Sequence, residues 1–186
     1  MHRASTFPAI PSATVVGVVV ALAGCRASDE TQPERPIDVL AAWDGTWRGR
    51  FVSYDPQGNE LSRIKVRQVY RTIDANTQEV TIRDQMPDGK VIEGRGRNVA
   101  ELEPDGTIRL RCIVEKSDGS RVEHRGRIIT GPGGGKQILW WSNEPGRVES
   151  FREWVWGSAQ QARYSIHGLG QYGDQVLLMA GEYRRE

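Results

Sequence analysis

Seven short stretches between residues 55 and 146 carry the residues that tight turns require. They read DPQGN (55–59), DANTQ (74–78), MPDGK (86–90), EPDGT (103–107), KSDGS (116–120), GPGGGK (131–136) and NEPG (143–146). Asp, Asn and Gly accept the positive φ of hairpin turns, and Pro presets its own φ. Punctuation this regular leaves about ten to fifteen residues per interval, enough for one strand and too little for a long helix. Short turns join antiparallel neighbours, so the chain reads as a meander.

About ten strands are predicted, near 46–54, 60–72, 79–85, 90–101, 107–115, 121–130, 137–142, 147–156, 162–167 and 175–184. Several alternate an apolar face with a charged one. Ile64, Val66 and Tyr70 interleave with Arg63, Lys65, Arg67 and Arg71, and Ile108, Leu110, Cys112 and Val114 interleave with Arg109 and Arg111. The arginines are thereby solvent-facing sheet positions, matched across strands by glutamates. A sheet of sequential strands with one apolar face and no helices to cover it buries that face by closing on itself. The predicted fold is therefore all-β, an antiparallel up-and-down barrel, preceded by one or two helical turns over Pro36–Trp43 in which Leu40 and Trp43 face the same neighbour.

Composition bounds the partners. The 186 residues, 38% hydrophobic and 26% charged, suit one domain with short extensions, and a formal charge of +1 lacks the basic excess of a nucleic-acid binder. The extension reads as export. Met1-His2-Arg3 is a basic start, and the apolar run ATVVGVVVALAG (13–24) is well short of the roughly 20 residues that span a bilayer. It ends in Leu22-Ala23-Gly24-Cys25, which resembles the lipobox of bacterial lipoproteins.

That resemblance implies a signal peptide over 1–24, cleavage before Cys25 and a diacylglycerol on its thiol. The membrane is then a partner, each buried methylene of the acyl chains contributing about 0.8 kcal/mol. Arg26 in place of Asp at the second mature position favours an outer-membrane location facing the periplasm. RASDETQPERP (26–36), polar and without apolar periodicity, completes a tether over 25–36, and the barrel domain occupies 37–186. With Cys25 lipidated only Cys112 remains, so no internal disulfide is available, and Cys112 reads as a small core residue.

The start of the first strand carries a second resemblance. A helical turn followed by Gly45-Thr46-Trp47-Arg48-Gly49 is similar to the calycin group: lipocalins, with their Gly-x-Trp signature, and the fatty-acid-binding and nitrobindin-like barrels. The resemblance extends over most of 37–186. It implies that Trp47 closes one end of the barrel, a structural role, with ligand contact as the alternative. Two family features are not reproduced. Phe51-Val52-Ser53-Tyr54 stands where nitrobindin-like proteins have a glycine-rich strand and a Tyr-Pro pair, and Tyr183-Arg184-Arg185 replaces the carboxylate-gripping Arg-x-Tyr of many fatty-acid-binding proteins.

Ligand-lining candidates follow from strand phase. Trp47, Tyr70, His124, Arg152 and Trp154 are the residues expected to reach a ligand, with Gln68 and Arg95 among the polar members of the interior. His124 shares phase with Val122 and Ile128 and faces inward as a hydrogen-bonded core residue or, alternatively, as a haem ligand. Arg152 shares phase with Trp154 and Trp156. If that face is inward, the cation needs a carboxylate or an anionic head group, and a bulge would return it to water. Trp140 and Trp141 point to opposite faces, so an aromatic on the outside, Trp140 or Trp156, is available to an envelope partner.

Enzyme motifs fail on context. Gly168-Leu169-Gly170-Gln171-Tyr172-Gly173 matches G-x-G-x-x-G but is followed by a strand and reads as a hairpin turn, and GPGGGKQ has Gln137 where a P-loop needs Ser or Thr. There is no G-x-S-x-G and no H-E-x-x-H. Paired carboxylates assemble in space and leave no spacing signature. The chain is expected to be no enzyme, with no metal and no cofactor, haem being the alternative, and to bind a small hydrophobic or amphipathic molecule. A ligand-free envelope module is the second reading.

Overall fold

A computed structural model describes residues 35–131 and 134–186. The leader, Cys25 and the tether up to residue 34 lie outside the described residues. Ten strands follow the 3-10 helix Pro36–Trp43: β1 (Gly45–Tyr54), β2 (Glu60–Thr72), β3 (Thr77–Gln85), β4 (Val91–Leu102), β5 (Ile108–Lys116), β6 (Arg121–Thr130), β7 (Lys136–Glu144), β8 (Arg147–Trp156), β9 (Arg163–Tyr172) and β10 (Gln175–Arg185). Every strand pairs antiparallel with its sequence neighbours, and β1 pairs with β10 to close the barrel. This is a calycin-like meander barrel, as the alternation and the turns require.

The turn chemistry is repetitive. In Lys116–Ser120 the Lys116 N–H donates to Ser120 O (2.9 Å) and the Gly119 N–H to Lys116 O (3.0 Å). Asp118 Oδ1 accepts from the Ser120 N–H at 3.0 Å. Gly119 sits at φ +85°, the left-handed position that ends a three-residue hairpin loop. The same backbone pair recurs at Asp55–Asn59, Met86–Lys90 and Glu103–Thr107.

β9 is longer than expected. The stretch Gly168–Gly173 is strand up to Tyr172, and only Gly173 belongs to the turn. Gly168 and Gly170 face inward, where a Cβ would lie 2.2 Å from the Phe151 ring and 2.7 Å from the Tyr172 ring. These glycines admit aromatic neighbours rather than reverse the chain.

The two ends of the barrel differ. The 3-10 helix packs against β2, β3 and β4 and buries Ile37, Leu40 and Trp43 at one end. Trp47, fully buried, donates its indole N–H to Trp43 O (2.7 Å), meets Tyr164 edge-on and carries the Arg185 guanidinium 4.7 Å above its ring. Fixing this aromatic stack at the helix junction seals the end, the role the resemblance implied. The opposite end is bordered by hairpin turns, among them Asp55–Asn59, Met86–Lys90 and Lys116–Ser120.

Candidate ligand-binding site

Inward phases on β2 to β9 enclose a cavity of about 150 Å³. Its walls are Val80, Ile82, Val114, Val122, Phe151 and Ile166, with Cys112 among them. Its polar groups are Gln68, Tyr70, Asn98, Lys116, His124, Trp140, Glu153 and Tyr164. Of the residues expected to reach a ligand, the structure brings Tyr70 and His124 together here, with Gln68. Trp47 lies beneath, in the seal. Arg152, Trp154 and Arg95 stand on the outer face. There Arg152 bonds Gln137, and Trp154 meets the His167 ring edge-on at 5.0 Å.

The correction on β8 has a plain cause. The phase that faces inward is Glu149, Phe151, Glu153 and Val155, without a bulge, and Arg152 and Trp154 alternate with it. An inward Arg152 would be a cation needing a buried partner, which the outer face avoids. On β4 the inward residues are Gly94, Gly96, Asn98 and Ala100, which puts Arg95 in water for the same reason. Trp140 is inward and 5% exposed, whereas Trp156 is outward and 53% exposed.

Two polar clusters face the interior. Toward the turn-bordered end, Glu149 accepts from His124 Nε2 at 3.1 Å and from the Arg147 guanidinium. Burial disfavours the charge, but hydrogen bonds from His124 and Arg147 and the Arg147 charge hold the Glu149 carboxyl at about 2. Lys116 and Asp84 form a second, part-buried pair at 2.9 Å. Toward the sealed end, Glu153 has no cationic partner among the described residues. Burial pushes its carboxyl up to about 7, although Trp140 and Tyr164 offer hydrogen bonds that oppose the rise. Burial and the neighbouring Glu153 push the Cys112 thiol up to about 12, so it is an unreactive wall residue.

A hydrogen-bonded chain leads from the seal into the cavity. Asp44 Oδ1 accepts from Gln78 Nε2 (2.9 Å), and Gln78 Oε1 accepts from Asn98 Nδ2 (2.9 Å). The Asn98 amide donor and Gln78 are thereby fixed, and Asn98 Oδ1 is left buried with no hydrogen-bond partner among the described residues. An unpartnered buried acceptor costs about 1–3 kcal/mol. Sequence reading passed over Glu153, Asn98 and Gln78. Their signal is the inward phase shared with Phe151, Ala100 and Val80.

Haem does not fit these residues. His124 Nε2 is engaged by Glu149 and its ring packs on Phe151 at 5.6 Å. The cavity is also below the roughly 300–1,000 Å³ of pockets for drug-sized molecules.

The architecture has solved counterparts. The S-type phycobiliprotein lyase CPES from Guillardia theta superposes with a TM-score of 0.56 at 12% identity, over 79% of this chain and 90% of that one. Rv2717c from M. tuberculosis superposes with a TM-score of 0.55 at 14% identity, over 81% of this chain and 97% of that one. No family model matches the sequence, and no curated protein matches it. The likeness is one of fold.

Proposed function

We propose that the barrel binds a small amphipathic molecule, a single ring or a short chain bearing an N–H or O–H donor, and does not act as an enzyme. The observation that carries this reading is Asn98, which lines an apolar-walled cavity of about 150 Å³ and whose buried Oδ1 has no hydrogen-bond partner among the described residues. Cavities of that volume in protein cores accept benzene-sized guests. Val80, Val114, Phe151 and Ile166 would surround the apolar part, and Asn98, Glu153 and Tyr164 would meet the polar part. His124, Glu149 and Arg147 satisfy one another and support the wall rather than offer a reactive group.

The same proposal places the barrel on a membrane. Leu22-Ala23-Gly24-Cys25 supports acylation of Cys25 and an outer-membrane location facing the periplasm. Fatty-acid analogue labelling that survives Cys25→Ala would remove this part.

The cavity is tested by the thermal midpoint of the purified protein with benzene, phenol and indole, alongside mass spectrometry of the gently isolated protein. Phenol or indole should raise the midpoint more than benzene, and Asn98→Leu should abolish that preference. Absence of any stabilisation, with no retained molecule, would transfer the reading to an envelope interaction module. That second reading is favoured by one observation, the exposure of Trp156, Leu169 and Leu178 on the outer face.

A further inference from the structure

The outer surface of the closing seam holds five arginines in one unbroken cross-strand row. Arg163 on β9 is directly opposite Arg184 on β10, Arg184 opposite Arg48 on β1, Arg48 opposite Arg67 on β2, and Arg67 opposite Arg83 on β3. All five are exposed. Directly opposed residues lie about 5 Å apart, and like charges so placed destabilise a sheet.

Where arginines oppose each other on β5 and β6, one arginine of each pair has a carboxylate close by. Arg109 and Arg111 face Arg127 and Arg125, yet Glu103 and Glu123 approach them at 2.5 Å each. In the seam row Arg48 and Arg67 share the single carboxylate of Glu186, at 2.6 and 3.1 Å, and Arg83 has Glu93 only at 3.9 Å. No carboxylate lies within ion-pair distance of Arg163 or Arg184 among the described residues. Arg50 and Lys65, opposed on the next rung, add to the same face. These side chains line a groove of about 570 Å³ whose one carboxylate is Glu182.

The row ends in an aromatic. Trp156, 53% exposed, is directly opposite Arg163, and Leu169 and Leu178 are exposed on the same two strands as Arg163 and Arg184. Guanidinium groups match phosphate oxygens bidentately, and indole rings favour the border between water and hydrocarbon. Nucleic acid would use the cations but leave Leu169 and Leu178 in water.

We infer that the β9–β10–β1–β2–β3 outer face docks on an anionic lipid surface. Headgroup phosphates sit along Arg163, Arg184, Arg48, Arg67 and Arg83, and Trp156 rests at the interface. This contact is separate from the acyl chain on Cys25 and from the interior cavity. It orients the barrel with its seam toward the bilayer.

The test is co-sedimentation of the full chain carrying Cys25→Ser with vesicles of phosphatidylcholine alone or mixed with phosphatidylglycerol. The mixed vesicles should capture more protein, less so as salt rises, and Trp156→Phe should reduce the blue shift of fluorescence on binding. Each arginine neutralised should lower partitioning about fivefold, so Arg48→Gln with Arg184→Gln lowers it about 25-fold. The same pair should keep or raise the thermal midpoint, because it relieves repulsion, which shows that lost binding is not lost folding. Arg109→Gln with Arg127→Gln, on the opposite side, should leave partitioning unchanged. Equal binding to both vesicles, an equal loss from the Arg109/Arg127 pair, full competition by inorganic phosphate, or preferential binding to duplex DNA would each overturn the inference.

Discussion

Glu149 and Glu153 stand on the same face of β8, one turn of alternation apart from Phe151, and the barrel treats them in opposite ways. Glu149 is held at about 2 by His124 and Arg147, whereas Glu153, enclosed among Tyr164, Trp140 and Cys112, is pushed to about 7. Burial acts on both in the same direction, and a cationic partner decides the outcome. The half of the barrel near the hairpin turns is thus an ionic network, and the half near the seal is a neutral, hydrogen-bonding pocket.

Removing the anchor of the ionic half should have the largest effect. Glu149→Ala leaves His124 and Arg147 facing the interior without their acceptor, and breaking such a pair costs about 4 kcal/mol. Chemical denaturation measures the loss. Adding Arg147→Ala should recover part of it, since the two residues form one network and their costs do not sum. If Glu153→Ala costs as much, the two halves are not different in kind.

The neutral half is tested by pH. Glu153 keeps its proton in the folded protein up to about 7, while in the unfolded chain it ionises near 4.5. Between those values the folded state binds more protons, so stability falls as pH rises, by about 3 kcal/mol from this group. Glu149 has the opposite sign: its stability is present above about 4.5 and is lost as pH falls toward 2. As far as these two carboxyls set it, stability peaks near pH 4.5. Urea melts across the range should show the upper slope, and Glu153→Gln should flatten it while leaving the acid limb intact. A slope that persists in Glu153→Gln would assign it to another group.

How much of this was legible in the sequence follows the same division. Turn residues and alternation are local, so strand number, meander order and closure could be read from them, and Gly45-Thr46-Trp47 marked the sealed end. Interior polarity is not local. On β8 two glutamates share the phase of Phe151 and Val155 and two tryptophans share the other, so hydrophobicity alone points inward with Trp154 and Trp156, the wrong face. What settles the phase is the partner strands: Tyr164 and Ile166 on β9 and Trp140 on β7 already fill the interior with aromatic and apolar bulk. A carboxyl among them needs only the surrounding donors. Likewise Gly168 looked like a turn residue because the ring it admits, Phe151, lies on another strand, and Gly170 makes room for Tyr172 on its own strand and Met179 on β10.

A smaller effect is expected where a glycine makes room for the neutral half. A Cβ at Gly126 would lie 2.4 Å from the Trp140 ring, so Gly126→Ala must move the indole. Overpacking of this kind costs about 2 kcal/mol. The displaced indole no longer opposes the rise at Glu153, so the upper pH slope should extend above 7. Tryptophan emission and the pH profile check both parts. An unchanged profile would show that Trp140 does not help set the Glu153 carboxyl.

The smallest effect belongs to carboxylates that are not enclosed. Glu79 on β3 is opposite Arg71 on β2, and their side chains approach to 2.5 Å, closer than Glu149 and His124, but both are largely in water. Water and salt screen such a pair, and ordering two long side chains offsets most of the attraction. Glu79→Gln should therefore change stability by less than about 0.5 kcal/mol and vanish from the comparison in high salt. A loss as large as that of Glu149→Ala would mean that pairing, rather than enclosure, governs the carboxylates of this barrel. A negligible loss leaves enclosure as the variable that separates Glu149 and Glu153 from the many surface glutamates matched to arginines.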